Sequence, residues 1–232
     1  MNNLIVNLPL TCFFAFWPSF LWLNFYLRKD TKPEPKGLIL KVFLLGMLLS
    51  LPAALVEIAA LSFFEKLKLP LLFEIFLGVA LIEEMAKFLV VRLAIFNSPE
   101  LEEPVDTMIY MICAALGFGG AENLLLITSM GKTLPLAELA QVSILRFVGA
   151  TFLHAIASGL VGFFIGLSFF RKKERIKLIS FGIILATLLH GFYNFFILKI
   201  EERLGIVLAG ILIALSAFFL SFAFSKLKGK YG

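Results

Sequence analysis

PLLFEIFLGVALIEEMAKFLVV, residues 70–91, decides the fold. It opens on Pro70, runs through Leu71, Leu72, Phe73, Ile75, Phe76 and Leu77, and meets Glu83-Glu84-Met85-Ala86-Lys87 before Phe88, Leu89, Val90 and Val91 resume. A helix of about 20 such residues crosses the hydrocarbon core of a bilayer. An ionised group at bilayer centre costs roughly 2.5–3.5 kcal/mol on insertion scales. Glu83, Glu84 and Lys87 fall within five residues. They require partners inside a protein bundle, and such clusters mark function.

The remainder of the chain agrees. Of 232 residues, 60% are hydrophobic and 27 are phenylalanine, and the mean hydropathy is +0.98. Soluble domains run near about 45–50% apolar, so the expected class is an all-α, polytopic transmembrane helix bundle with one integral-membrane domain over 1–232. The net charge of +5 reports topology. No Lys/Arg stripe with interleaved aromatics stands in a soluble segment, which excludes nucleic acid as an expected partner. Cys12 and Cys113 have no metal-type spacing and read as buried free thiols. The N-terminus lacks a basic n-region and a small-residue cleavage site, so it reads as a retained first span.

Seven spans are expected: 4–27, 37–63, 70–95, 105–130, 138–170, 176–198 and 204–225. The fifth is too long for one upright crossing; it tilts, or breaks near Gly149 to give eight segments. Pro52 predicts a kink in the second. Arg28, Lys29, Lys32 and Lys36 fill the first loop, Arg171, Lys172, Lys173, Arg175 and Lys177 the fifth, and Lys226, Lys228 and Lys230 the tail. The alternate loops are poorer in Lys and Arg, so the positive-inside rule puts the N-terminus outside and the C-terminus in the cytoplasm, in the plasma membrane. The third loop, with Glu100, Glu102 and Glu103, is acidic although it falls on the cytoplasmic side; acids weigh little in the rule. No internal repeat argues for a transporter of two related halves.

Polar residues at depth concentrate in the central spans. At 100° per residue, Lys87 lies about 40° from Glu83 and about 60° from Glu84 on the other side, so one helix face carries both acids with the base between them. A purely structural ion-pair network is the alternative, but two acids for one base leave a carboxylate over. The fourth span carries Asp106, Tyr110 and Gly117-Phe118-Gly119-Gly120-Ala121-Glu122-Asn123. Its glycines serve close packing, whereas Glu122-Asn123 goes beyond packing. Arg146 neutralises Glu122 or Glu83/Glu84, or snorkels. Both histidines of the chain, His154 and His190, fall mid-span. Asn194 shares a face with His190 at i+4, and Ser158 stands in the weaker equivalent place beside His154. Acid, imidazoles and amide together can activate water and stabilise an oxyanion. The same set offers two imidazoles and a carboxylate, His154, His190 and Glu83 or Glu84, to a divalent metal such as zinc. No Cys-His pair, Gly-x-Ser-x-Gly elbow or His-Glu-x-x-His helix is present, which disfavours ordinary Ser, Cys and zincin mechanisms.

The order Glu83-Glu84-x-x-Lys87, Gly117-Phe118…Glu122-Asn123, His154 and His190-Gly191-x-x-Asn194 resembles the PrsW family of intramembrane proteases, distant relatives of the CAAX-prenyl and bacteriocin-processing membrane proteases. The resemblance covers the third to sixth spans, a catalytic core of about 70–198; the first, second and seventh spans read as generic lipid-spanning helices. It implies peptide-bond hydrolysis in or at the edge of the membrane, on single-span partners such as anti-sigma factors. Gly119 departs from the alanine expected after Gly-Phe and reads as harmless. Leu124, Leu125 and Leu126 stand where an aromatic residue is expected.

The expected catalytic set is Glu83, Glu84, His154, His190 and Asn194, supported by Lys87, Glu122, Asn123, Arg146 and Asp106. Glu83 is the first choice as general base, as the resemblance implies, and Glu84 the alternate or the partner of Lys87. His190 and Asn194 would bind the oxyanion; His154 would orient water or protonate the leaving amine. No cofactor is required in this reading, and a metal-dependent version uses the same residues. A transporter with an acid–histidine relay and a non-catalytic scaffold are the rivals; side chains converging on one cavity favour the protease, a continuous polar path the transporter.

Overall fold

A computed structural model describes residues 8–30 and 32–228, and every regular element among them is helical. In chain order these are α1 (Leu8–Leu27), α2 (Lys36–Lys66), α3 (Leu71–Phe73), a π-helical segment (Glu74–Ala80), α4 (Leu81–Ala94), α5 (Asp106–Met130), α6 (Leu136–Val148), α7 (Ala150–Phe170), a single 3-10 turn (Lys172–Glu174), α8 (Arg175–Lys199) and α9 (Glu202–Lys228). Residues 4–7 of the expected first span, and Lys230 of the basic tail, lie outside the described residues.

The expected span count is met in part. Six helices are long and apolar enough to cross a membrane, counting Leu136–Phe170 as one. The expected third span is helical from Leu71 to Ala94, yet it is divided into α3, the π turns and α4, and only the last reaches 14 residues. Its charges and its divided ladder keep it from standing on length and composition alone. The fifth expected span breaks at Gly149, whose backbone (φ −105°, ψ −103°) leaves the helical region. The 13 residues of α6 reach about 20 Å, short of the roughly 30 Å hydrocarbon core. Pro52 is carried inside α2 without ending it.

A helix that is apolar all round belongs in the centre of a bundle. α5 meets that description, because residues 106–121 are buried without exception. It packs on α7, α2 and α1. Small residues let the backbones close in: a side chain on Gly117 would strike the Phe43 carbonyl of α2, and one on Gly46 the Ala114 carbonyl of α5. Outward, α2 presents Leu40, Leu48, Leu55 and Ile58, and α9 presents Ile206, Leu215 and Phe218. A belt of this kind is stable only in a lipid environment.

Candidate active site

α4 places Glu83, Glu84 and Lys87 on its buried face, because i, i+3 and i+4 share one side of a helix. Lys87 Nζ lies 3.1 Å from Glu83 Oε2, 2.9 Å from Glu84 Oε1 and 2.7 Å from His154 Nδ1. It also stands 4.8 Å over the Phe118 ring. An ammonium only donates, so His154 Nδ1 accepts and the imidazole carries its proton on Nε2. That Nε2–H donates to Glu122 Oε2 at 2.9 Å. One tautomer of His154 is thereby fixed from two sides.

Glu84 is saturated. Its Oε1 accepts from Lys87 and from His190 Nδ1, the latter at 3.0 Å, and its Oε2 accepts from Ser158 Oγ at 2.9 Å. Glu83 is not. Only Oε2 is engaged, with Lys87, and it faces His154 Nδ1 at 3.8 Å and His190 Nε2 at 3.9 Å. Among the described residues Oε1 has no hydrogen-bond partner. The two imidazoles stand nearly perpendicular, with centroids 5.2 Å apart. α4, α7 and α8 thus deliver acid, base and imidazoles to one buried point.

Around this point, Glu122 pairs with Arg146 at 3.4 Å, and Arg146 Nε donates to Asn123 Oδ1. Asn123 Nδ2 donates to the Ala15 carbonyl and to Thr151 Oγ1. The break at Gly149 allows α6 to bring Arg146 here. Trp17 and Trp22 tie α1 to Ser143 and to the Phe147 carbonyl of α6. Glu122 and Arg146 side chains are 28% and 21% exposed, so the cluster meets the surface on this side.

The remaining expected residues and helices are placed as follows. Asn194 is half-buried and, among the described residues, joins no hydrogen bond to the cluster. Asp106 lies sixteen residues from Glu122 on α5, about 24 Å away. There its Oδ2 accepts the backbone N–H groups of Glu102 and Glu103, while Tyr110 donates to Glu34; it is a loop anchor. The first and second helices are not generic. α1 supplies the Ala15 carbonyl, and α2 carries Glu57, whose carboxylate is within electrostatic reach of Glu83, Glu122, Lys87 and His190. Sequence reasoning passed over Glu57, although an acid inside so apolar a run was the available signal.

Glu83, His154 and His190 each offer one ligand atom, and the three lie within 4.8 Å of one another. Two imidazoles and a carboxylate are a metal-binding donor set, and Glu84 holding His190 Nδ1 is the usual outer support for such a ligand. The donors fit a divalent ion in kind and spacing. Lys87 Nζ stands in direct contact with Glu83 and His154, two of the three.

A family model described as PrsW family intramembrane metalloprotease matches residues 34–224. Protease PrsW of Geobacillus kaustophilus is 30% identical over 191 residues, covering 82% of this chain and 80% of the relative. Protease PrsW of Clostridioides difficile is 32% identical over 179 residues, 75% and 73% of the two chains. That of Bacillus subtilis is 27% identical, with 77% and 78% covered. No solved structure matches. The chain belongs to the PrsW family of intramembrane proteases.

Proposed function

We propose that this protein hydrolyses peptide bonds of single-span membrane proteins, with Glu83 as general base on water. The observation that carries this reading is the contrast between the two acids. Glu84 has both oxygens committed, whereas on Glu83 only Oε2 is engaged, by Lys87, and that oxygen faces His190 Nε2 across 3.9 Å; Oε1 is left to accept from a water. A water bound to the Glu83 carboxylate on this side stands beside His190 Nε2. Glu83 takes its proton as the water oxygen attacks the carbonyl carbon. The C–N bond then breaks, and the proton returns to the amine nitrogen. Lys87 holds Glu83 in place, and Glu84 orients His190 through Nδ1–H, leaving Nε2 toward the reacting water. Asn194, one turn from His190, is available to a bound peptide as an oxyanion donor.

A divalent ion held by Glu83, His154 and His190 would polarise the carbonyl and acidify a bound water. The metal-free version is favoured by Lys87, whose ammonium already contacts two of those residues. The bundle argues against a transporter. Between the Glu83 cluster and Asp106, α5 is filled by Ile109, Met111, Ile112, Ala114, Ala115 and Leu116, each 0–1% exposed, so no polar path links the two ends along it. In the membrane, 71–94 would be a seventh crossing, with the N-terminus outside, the C-terminus cytoplasmic, and substrates of the anti-sigma-factor kind.

Glu83→Gln keeps the side chain's shape and removes the base. It is expected to abolish cleavage of a model single-span substrate in proteoliposomes while the melting temperature stays close to wild type. Wild-type rates in this variant would remove Glu83 from the mechanism.

A further inference from the structure

The mechanism gives no role to Glu57, the acid that α2 carries toward the cluster. Buried Ala53 and half-buried Ala54, Glu57, Ala60, Leu61 and Phe64 recur at three- and four-residue spacing along α2 and form one stripe. At one end of it, Ala53 and Val56 share a groove of about 470 Å³ with Leu81, Ile82 and Met85 of α4. At the other, a Cβ on Gly78 would lie 3.1 Å from Leu61 and 3.3 Å from Phe64. Glu57 sits between these contacts and faces the turns that lead into Glu83.

The depths agree. Ala53 and Val56 of α2 meet Ile82 and Met85 of α4, and Leu61 and Phe64 meet Gly78, so Glu57 stands about one turn from the level of Glu83. Glu57 feels the charges of Glu83, Glu122, Lys87 and His190, yet among the described residues it makes no ion pair or hydrogen bond. In the ion pairs described above, Lys87 and Arg146 are the permanent cations beside Glu83, Glu84 and Glu122, and His154 and His190 add charge only when protonated. The metal-type donor set does not include Glu57, so an ion there would leave it unmatched.

We infer that Glu57 is a specificity residue, which receives a lysine or arginine side chain of the substrate beside the scissile bond. This rests on the protease reading above. A peptide approaching sideways from lipid passes the apolar groove first and then meets this carboxylate. Basic residues flank membrane spans in abundance, and their long stems reach inward along apolar surface.

The probe is a set of single-span peptides, N-terminally acetylated to remove the free amine, reconstituted in phosphatidylcholine vesicles. Their segment at the membrane boundary carries Lys, Gln or Glu at each position in turn, and cleavage sites are read by mass spectrometry. The wild type is expected to prefer Lys at a fixed distance from the cut. In Glu57→Gln the Lys-to-Gln ratio of kcat/KM should fall about ten-fold, carried by KM, and Glu57→Lys should invert the preference toward Glu. A merely structural role lowers all peptides alike. Cleavage without charge preference, or an unchanged preference in Glu57→Gln, overturns this inference and leaves the protease standing. Failure of the wild type to cleave any peptide overturns both.

Discussion

Lys87 Nζ lies 2.7 Å from His154 Nδ1, and this contact decides where the imidazole keeps its proton. A lysine between two acids and an imidazole acceptor is both a charge balance and a tautomer lock. His154 is left with Nε2–H, which points to Glu122 and away from Glu83.

Lys87→Met removes the ammonium that contacts both Glu83 and Glu84, two buried acids. Breaking a buried pair by deleting one partner costs about 3–5 kcal/mol, because a charge is left uncompensated. The melting temperature in detergent is expected to drop accordingly. Nitrogen-15 spectra of His-labelled protein should show an unprotonated Nδ1 and a protonated Nε2 at His154 in the wild type, and exchange between tautomers in the variant. An unchanged melt together with an unchanged spectrum would count against the lock.

Gly119→Ala tests a departure that reads as harmless from the sequence. A Cβ there would stand 2.8 Å from His154 Cδ2. Overpacking of this kind costs about 1–3 kcal/mol, and the ring is held by two hydrogen bonds that a shift would strain. Misplacement of a catalytic neighbour by about 1 Å can cost roughly 100-fold. A loss of about 10- to 100-fold in cleavage rate is expected, with the protein still folded by its melt. Full activity would show that the bundle yields there at no cost.

Why the sequence conveyed some of this and not the rest has physical causes. Apolar runs of bilayer length are unambiguous, so the ends of α2, α5, α8 and α9 fall within a few residues of the expected bounds. Glu83, Glu84 and Lys87 share a face by helix period alone, which needs no tertiary knowledge. Asn194 and Asp106 are different. Each lies in a span with a site-like neighbour, but whether a side chain reaches the cluster depends on helix rotation and level, which sequence period leaves open. Glu57 was hidden for the opposite reason: a single acid has no partner in chain order, and its neighbours belong to α4 and α5. The π turns at Glu74–Ala80 pack against α2 and α8, where Phe76 fills the space left by Gly191, contacts that sequence period does not show.

Glu34, in the loop between α1 and α2, carries a pH dependence. Burial raises its carboxyl from 4.5 to about 8, opposed by the hydrogen bond from Tyr110 and aided by the charge of Asp106. Because the folded-state value lies above the ordinary one, the stability contributed by the neutral carboxyl is complete below about pH 4.5 and is lost as pH rises through about 8. The melting temperature should therefore fall between about pH 4.5 and about pH 8 and level off above that. Glu34→Gln stays neutral and can still accept from Tyr110, so its melt should be flatter over that range. An equally steep fall in the variant would place the titration elsewhere.

Metal content separates the two versions of the mechanism. If Lys87 acts as the cation of the site, protein purified without chelators carries little transition metal, and chelators leave cleavage unchanged, since the ammonium already contacts Glu83 and His154. Lys87→Met then frees those donors, and zinc affinity measured by calorimetry should rise, because His154, His190 and Glu83 remain within 4.8 Å of one another. The metal-dependent version predicts the reverse order: about one tightly held ion per chain in the wild type, lost in His190→Ala, with activity lost and restored as the ion is removed and returned. Elemental analysis of the two proteins side by side decides between them, and a stoichiometric, His190-dependent metal would overturn the preference for Glu83 acting directly on water.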